Sequence, residues 1–378
     1  MKKIDNDLCT ISNESFYKKI AGSKGVFIDI ETTGLSRENC CIYLVGILYP
    51  VNTGNTMHFT LSLLFAEAPG EEERLLMELS GLLGNSYYSL ISFNGRHFDL
   101  PFLLKRYERY ALTPPDCLTA GTDTDIYAEV RPFRRSFGMS SLNQKSVERM
   151  LGICREDKYS GKELISVYLE YVKTGDPGLE KLLLTHNRDD VLGMTEILPV
   201  LTYTRIFNSG EEDAAPKIKS AVRESHLGFD RNESAEFVIS FFLPDAVPKP
   251  HLFHNLRLFL EASGDTGILR IPLYEGELKH FFPNYRDYLY IPSEDRVILR
   301  ELGSLMKETE YEKASPLNCC IKTRGLFLPL PGNFSFPDEV SYKQEPKSKT
   351  EYVLLSDEIM NSPLLPEYLK TALKTWFR

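Results

Sequence analysis

The N-terminal part of the chain contains the stretch Val26-Phe-Ile-Asp-Ile-Glu-Thr-Thr-Gly-Leu35, an apolar run interrupted by two acids. The run predicts a buried strand, and Thr-Thr-Gly predicts the turn that ends it. Asp29 and Glu31 are two residues apart, so both side chains point to one face of the strand. Acids on a buried face repel one another unless a cation lies between them. A strand edge with two solvated acids is the alternative, and the stretch alone leaves both interpretations open.

Strand and helix patterns continue outward from this stretch and predict the fold class. The predicted further strands are 40–49, 56–63 and 88–93, and the predicted helices begin at Pro69 and near Leu100. Strands 26–30, 40–49 and 56–63 follow one another directly, as in an antiparallel meander. Strand and helix then alternate, which indicates an α/β fold with a mixed sheet flanked by helices.

The part of the chain after residue 122 is predicted to become helical. Residues 123–136 form an irregular, arginine-rich segment, after which Ser140 or Ser141 would cap a helix that ends near Gly152. Longer helices are predicted over 161–174 and 178–207.

A change of pattern near residue 208 predicts a domain boundary. We predict a first domain over 1–207, a polar linker over 208–217 and a smaller, β-rich α+β domain over 218–378. The predicted strands of the second domain are 238–243, 252–261, 266–274, 288–291 and 325–330, and its closing helix is 364–377.

Two further acids lie at the ends of predicted elements. Asp99 follows a strand and an Asn94-Gly95 turn, where it would either bind a metal or cap the next helix. His186 and Asp190 are four apart on a predicted helix and therefore share a face. They form either part of a metal site or a solvated pair, while Asp189 points away from Asp190.

These acids together suggest a chemistry. Hydrolysis of a phosphodiester needs an activated water and a stabilised leaving oxygen, which two divalent ions supply. Hard ions such as Mg²⁺ and Mn²⁺ prefer carboxylate oxygens from separate, converging elements. An imidazole beside such a site can accept a proton from the water.

In order and spacing, the motifs resemble those of DEDD-type 3′→5′ exonucleases of the ribonuclease H-like superfamily. The matching residues are Asp29 and Glu31 followed by Thr-Thr-Gly-Leu, then Asn94, Phe98, Asp99 and Pro101, and finally Asp190. A closer resemblance, over residues 26–201, is to bacterial predicted ribonuclease H-like domain nucleases (YprB-like). It is carried by Asp125-Ile-Tyr127, Arg131-Pro-Phe-Arg-Arg135, Ser141-Leu-Asn143, Gly161 and His186-Asn-Arg-Asp-Asp190.

The resemblance implies a ribonuclease H-like fold and a two-metal nuclease site. Asp29, Glu31, Asp99 and Asp190 would hold two Mg²⁺ or Mn²⁺ ions, and His186 would be the general base. In this family a histidine usually lies five residues before the last Asp, whereas His186 has the four-residue spacing of the tyrosine-containing members. The implied substrate-binding residues are Thr32, Gly34, Leu35, Asn94 and Phe98.

Two other groups of residues leave a functional and a structural interpretation open. Arg131, Arg134 and Arg135, with Phe133 and Phe137, would bind the phosphates and bases of a single strand, or would be solvated arginines of a loop. Asn94 would contact the substrate or fix its turn, and Asp123 and Asp125 would face the metals or end a strand.

The net charge of −9 and the pI near 5.5 argue against a protein that coats nucleic acid passively. Its seven cysteines show no disulfide or zinc spacing. With no secretory signal and no apolar run long enough to span a bilayer, we expect a cytoplasmic protein without membrane contact.

The expected partner is a DNA or RNA strand end, and the second domain would choose the substrate or bind a protein. The alternatives are an endonuclease on structured or hybrid strands and a non-catalytic nucleic-acid-binding scaffold.

Overall fold

The computed structural model describes residues 1–8, 10–53, 56–84, 89–119, 123–154, 161–208, 215–227, 233–255, 258–307 and 310–377. Two compact units divide the chain, Met1–Thr204 and Arg205–Arg378. Of the predicted linker, residues 209–214 lie outside the described ranges.

The first unit is a mixed α/β structure built on one sheet. Its strands are β1 Lys2–Leu8, β2 Gly25–Thr32, β3 Ile42–Thr53, β4 Thr56–Phe65, β5 Ser89–Ser92 and β6 Asp123–Asp125. Its helices are α1 Glu14–Ala21, α2 Glu72–Leu83, α3 Asp99–Arg109, α4 Asp116–Thr119, α5 Ile126–Val130, α6 Gln144–Leu151, α7 Gly161–Thr174 and α8 Pro177–Ile197, followed by α9 Val200–Phe207 across the unit boundary.

The described strands of this unit form a six-stranded sheet in the order β1-β4-β3-β2-β5-β6. The first four strands of that order are antiparallel, which confirms the predicted meander, and β5 and β6 add in parallel to β2. β2 is therefore an inner strand, and Val26, Phe27 and Ile28 are fully buried in the core. Helix α8 packs against β2 and β3, which places its residues beside Asp29 and Glu31.

Several boundaries differ from those predicted. Asn143, and not Ser140 or Ser141, caps α6, because its side chain accepts a hydrogen bond of 2.8 Å from the Ser146 amide. The helix predicted over 178–207 is two helices, since Pro199 lacks the amide hydrogen that a continuous helix needs. The segment 123–136 is not irregular throughout, as it contains β6 and α5.

The second unit is β-rich, as predicted for the C-terminal region. Its strands are β7 Ile218–Leu227, β8 Glu233–Phe242, β9 His251–Asn255, β10 Leu258–Ser263, β11 Thr266–Pro272, β12 Tyr274–Phe281, β13 Tyr288–Ile291, β14 Arg296–Leu299, β15 Glu312–Lys313, β16 Cys320–Pro329 and β17 Tyr352–Leu354. They form sheets in the orders β7-β8-β11-β10-β9, β12-β16-β17 and β14-β13-β15. The helices are α10 Asp357–Met360 and α11 Leu365–Trp376. The single strand predicted over 252–261 is the pair β9 and β10.

Within the described ranges, no helix is both long and apolar enough to cross a membrane.

Candidate active site

Strand β2 presents Asp29 and Glu31 at the end of the central sheet. The strand alternates there, with Ile30 and Thr32 buried and the two acids partly exposed on the other face. An irregularity in the pairing with β3 falls between Glu31 and Thr32, and the strand ends at Thr32, one residue after the second acid. This position lets other elements reach both carboxylates.

Asp99 joins the start of helix α3 to this strand. Its side chain is buried, and its Oδ1 accepts a hydrogen bond of 3.0 Å from the backbone amide of Ile30. The N-cap residue of α3 is Phe98, whose side chain makes no capping hydrogen bond, and Asp99 is the first residue of the helix. The carboxylate of Asp99 is directed at the strand between Asp29 and Glu31.

Helix α8 supplies the remaining polar side chains of the cluster. Nε2 of His186 lies 3.1 Å from Oδ2 of Asp190 and 3.5 Å from Oε1 of Glu31. Nδ2 of Asn187, a fully buried residue, donates a hydrogen bond of 2.7 Å to Oδ2 of Asp29. Asp189 pairs with Arg188 on its own helix, at 2.7 Å, in a more exposed position.

The four acids of the cluster influence one another electrostatically. The pKa of Asp29 is raised well above its ordinary value, first by burial of its carboxyl group. The charges of Asp99, Asp190 and Glu31 raise this pKa further, while the hydrogen bond from Asn187 lowers it. Four carboxylates that repel one another in this way favour binding of a cation.

The donor set fits a divalent metal ion. One oxygen of Glu31, one of Asp190 and a ring nitrogen of His186 lie within 4.8 Å of one another. Among the described residues this is the one group of three or more histidine, cysteine or acidic side chains arranged in that way. Asp29 and Asp99 extend it along the strand, so the sequence-predicted acids and His186 do come together.

Two loops adjoin the cluster along the chain, one after β2 and one before α3. Leu35 is 82% exposed, and Thr32 is buried, with its Oγ1 donating a hydrogen bond of 2.8 Å to the Gly34 carbonyl. Asn94 adopts a positive φ of 70°, consistent with a residue that fixes its turn. Phe98 packs on Phe102, with 5.6 Å between the ring centroids.

The 33–41 loop, which carries Leu35, is held in place by hydrogen bonds to helix α3 and to the turn before it. A buried ion pair joins Arg106 to Glu72, with hydrogen bonds of 2.8 and 2.6 Å. The Arg106 guanidinium also donates to the carbonyls of Arg37 and Glu38, at 3.3 and 3.4 Å. Arg37 in turn donates a hydrogen bond of 2.6 Å to the carbonyl of His97 and so connects the two loops.

Asp125 shapes the turn that precedes Asp99. It is fully buried, and its two oxygens accept hydrogen bonds from the backbone amides of Asn94, Arg96 and Ala128. These hydrogen bonds account for the burial of the Asp125 carboxylate without a metal ion. The side chain of Asp123 lies outside the described part of the structure.

The structure agrees only in part with the nucleic-acid-binding interpretation of the arginine-rich segment. Arg131, Arg134 and Arg135 are exposed, but Phe133 and Phe137 are buried in the core. Their rings are therefore not available to stack on bases, and only the cations remain on the surface.

Sequence reasoning missed the structural part played by Asn187 and Gly46. Gly46 is the cross-strand partner of Asp29, and a Cβ atom there would lie 2.8 Å from Cγ2 of Val191 and still closer to the Asn187 amide oxygen. The glycine leaves the gap through which Asn187 reaches Asp29. A glycine inside an otherwise apolar strand is a signal for such a close approach.

A family model and several solved structures match part of the chain. Residues 26–202 match a family model described as the RNase_H superfamily, and no curated protein matches the chain. A structure described as the apo form of the nuclease is 18% identical, with a TM-score of 0.32, over 52% of this chain and 78% of that one.

Two structures of E. coli exonuclease I also resemble the chain. The zinc-bound complex with single-stranded DNA is 12% identical, with a TM-score of 0.30, over 59% of this chain. The complex with a dT13 oligonucleotide is 13% identical, with a TM-score of 0.28, over 58%. The chain spans 55% of the length of each. The region 26–202 supplies most of the six-stranded mixed sheet and matches the family model, so it has a ribonuclease H-like fold.

Proposed function

We propose that the protein is a metal-dependent nuclease that removes nucleotides from the 3′ end of a single strand. The ribonuclease H-like fold supports hydrolytic nuclease activity in general. The observation that carries the proposal is the convergence of Asp29, Glu31, Asp99 and Asp190 from a strand and two helices.

In the proposed reaction the four carboxylates would hold two Mg²⁺ or Mn²⁺ ions. Such ions, when bound, make a water nucleophilic and stabilise the leaving oxygen of a phosphodiester. The Ile30 amide fixes the carboxylate of Asp99, and the Asn187 amide fixes that of Asp29. His186 lies between Glu31 and Asp190, where its ring would contact a water or an ion at the reacting phosphate.

The substrate would enter over the two loops around the acids. Leu35, the neighbouring Thr32 and Gly34, and the turn from Asn94 to Phe98 would contact the last nucleotides. The exposed Arg131 and Arg134 would bind backbone phosphates further along the strand. For the C-terminal unit we propose a role in substrate choice or in binding a protein partner.

End-labelled strands test this proposal most directly. The full chain is incubated with Mn²⁺ and 5′-labelled single-stranded DNA or RNA, side by side, and the products are separated by length. A 3′→5′ exonuclease shortens the labelled strand progressively, and Asp29→Asn lowers the rate at least about a hundredfold because the carboxylates act together.

Two other outcomes would contradict the proposal. Cleavage of a circular strand would identify an endonuclease, since a circle has no end. No cleavage by the wild-type protein, together with no difference from Asp29→Asn, would indicate a non-catalytic binding protein.

A further inference from the structure

We propose that His186 is a direct metal ligand, together with Glu31 and Asp190, and that this half of the site selects a transition metal such as Mn²⁺ over Mg²⁺. The inference rests on the proposed function, because it concerns the ion that the same site would use. It assigns the ring nitrogen to the metal, whereas the sequence resemblance implies a proton acceptor.

The separations of the His186 nitrogen from the two carboxylate oxygens match those between neighbouring ligands of a single ion. Metal–ligand bonds of about 2.0–2.2 Å, at tetrahedral or octahedral angles, place neighbouring ligand atoms about 3.0–3.5 Å apart. Nε2 of His186 lies 3.1 Å from the Asp190 oxygen and 3.5 Å from the Glu31 oxygen. Both separations already have the values that two adjacent ligands of one ion require.

The elements around His186 hold its ring in this place. His186 and Asp190 are four residues apart on α8, the helical spacing with which two ligands bind one ion. The backbone carbonyl of Asp190 accepts a hydrogen bond of 2.9 Å from the side chain of Gln144 on α6. The ring is only 8% exposed, so it cannot turn freely into solvent and away from the carboxylates.

The ligand type decides which metal the site prefers. Mg²⁺ is bound almost always by oxygen ligands and keeps several waters, whereas an imidazole suits transition metals. A site of two carboxylates and one imidazole therefore favours Mn²⁺ and later transition metals over Mg²⁺. A ring nitrogen that donates its lone pair to an ion cannot also accept a proton from water.

Pulsed electron paramagnetic resonance of bound Mn²⁺ tests the assignment without an activity measurement. The full chain is freed of metal with EDTA, loaded with one equivalent of Mn²⁺, and prepared with natural or ¹⁵N-labelled histidine. We expect the coupling of a directly bound nitrogen, changed by the label, in the wild-type protein. The labelled wild-type sample keeps the test valid even if a variant fails to fold.

Two variants assign the coupling to a residue. His186→Gln should abolish it, and His97→Gln should retain it, because His97 is exposed on the neighbouring turn. The assignment is overturned if the wild-type protein shows no directly bound nitrogen, or if His186→Gln retains the coupling.

Metal titrations test the selectivity. His186→Gln should weaken Mn²⁺ binding at least about tenfold and Mg²⁺ binding clearly less. If His186→Gln weakened the binding of Mn²⁺ and Mg²⁺ equally, the His186 ring would not be the source of the metal selectivity. A protein that shows the nitrogen coupling but cuts no strand contradicts the proposed function alone, whereas a protein that binds no Mn²⁺ contradicts both.

Discussion

Asn187 reaches Asp29 across the position of Gly46, and its side-chain amide donates a hydrogen bond of 2.7 Å to the carboxylate. Asp29 and Gly46 face one another on adjacent strands. Because Gly46 has no side chain, there is room for Asn187 to reach Asp29. The Asn187 amide oxygen is buried and has no hydrogen-bond partner among the described residues, so the contact of this side chain with the site is made by its NH₂ group. Asn187 is accordingly a positioning residue for the first acid of the site.

Replacing Asn187 by Ala should weaken Mn²⁺ binding about tenfold. The hydrogen bond lowers the pKa of Asp29, so its loss raises that pKa and lets protons compete better with the metal. The pH midpoint of Mn²⁺ binding should therefore move upward, as measured by titration at several pH values. Thr195→Ala, at another buried residue of α8, serves as the control that leaves the midpoint in place. An unchanged midpoint in Asn187→Ala would contradict the positioning role.

Replacing Gly46 by Ala should destabilise the first unit by about 1–3 kcal/mol, because the new methyl group meets Val191 and Asn187 in a packed region. Chemical denaturation measures the change. Gly81→Ala provides the matched comparison: it lies within α2, where a Cβ atom meets no other atom within 4 Å. The free energy of unfolding of Gly81→Ala should be higher than that of the wild-type protein by about 0.5–1 kcal/mol. A Gly46→Ala protein as stable as wild type would show that the close approach is not tight.

The pH dependence of stability should reveal the raised pKa of Asp29. A carboxyl group whose folded pKa lies above its unfolded pKa adds stability below the unfolded value, and that stability is lost as pH rises through the folded pKa. Melting temperatures of EDTA-treated wild-type protein should fall over this range, and those of Asp29→Asn should fall less. Added Mn²⁺ should restore the melting temperature of the wild-type protein but not that of Asp29→Asn. Asp189→Asn, outside the cluster, should follow wild type, and parallel curves for all three proteins would refute the prediction.

Removing Arg106 should destabilise the fold by about 3–5 kcal/mol, because the buried Glu72 would lose the cation that pairs with it and keep the hydrogen bonds from the Ile42 amide and the Tyr110 hydroxyl. Arg106→Ala is measured by denaturation, next to Lys105→Ala on the same helix. Lys105 makes only exposed ion pairs, so its loss should leave the free energy of unfolding nearly unchanged. Similar values for the two variants would argue against the buried pair.

Leu35→Ala should separate substrate binding from stability. The side chain is 82% exposed, so its removal should change the free energy of unfolding by less than about 0.5 kcal/mol. If Leu35 contacts the terminal nucleotides, KM for a single strand should rise several-fold in the same variant. Leu305→Ala, which removes an equally exposed leucine of the second unit, should leave KM unchanged. A KM that Leu35→Ala does not alter would remove Leu35 from the substrate surface.

The fold class was predictable because its evidence is local. The apolar run around Asp29, the strands that follow it and helix 161–174 carry their own periodicity, and the structure has them at those places. Strand β1 was not predicted, since Lys2, Lys3, Asp5 and Asp7 give it a polar composition. Only its pairing with β4, in which Ile4 lies opposite Leu63, makes it a strand.

The candidate site was predictable in its residue types and less so in its contacts. Asp29, Glu31, Asp99, His186 and Asp190 form motifs along the chain, so spacing alone brings them to notice. No local sequence pattern indicates the roles of Asn187, Gly46 and Arg106. Each of them contacts a residue that is distant in sequence. The burial of Phe133 and Phe137 likewise depends on tertiary packing, which composition does not reveal.

The anchoring of the 33–41 loop has a consequence for engineering. Arg106 and Arg109 bind the carbonyls of that loop from α3, and the same helix begins with Asp99. The position of the 33–41 loop and the placement of one acid therefore both depend on helix α3. Replacing this loop by one from a related protein, in order to change the preferred nucleic acid, would also require the α3 of that protein and the residue on α2 that pairs with it, here Glu72.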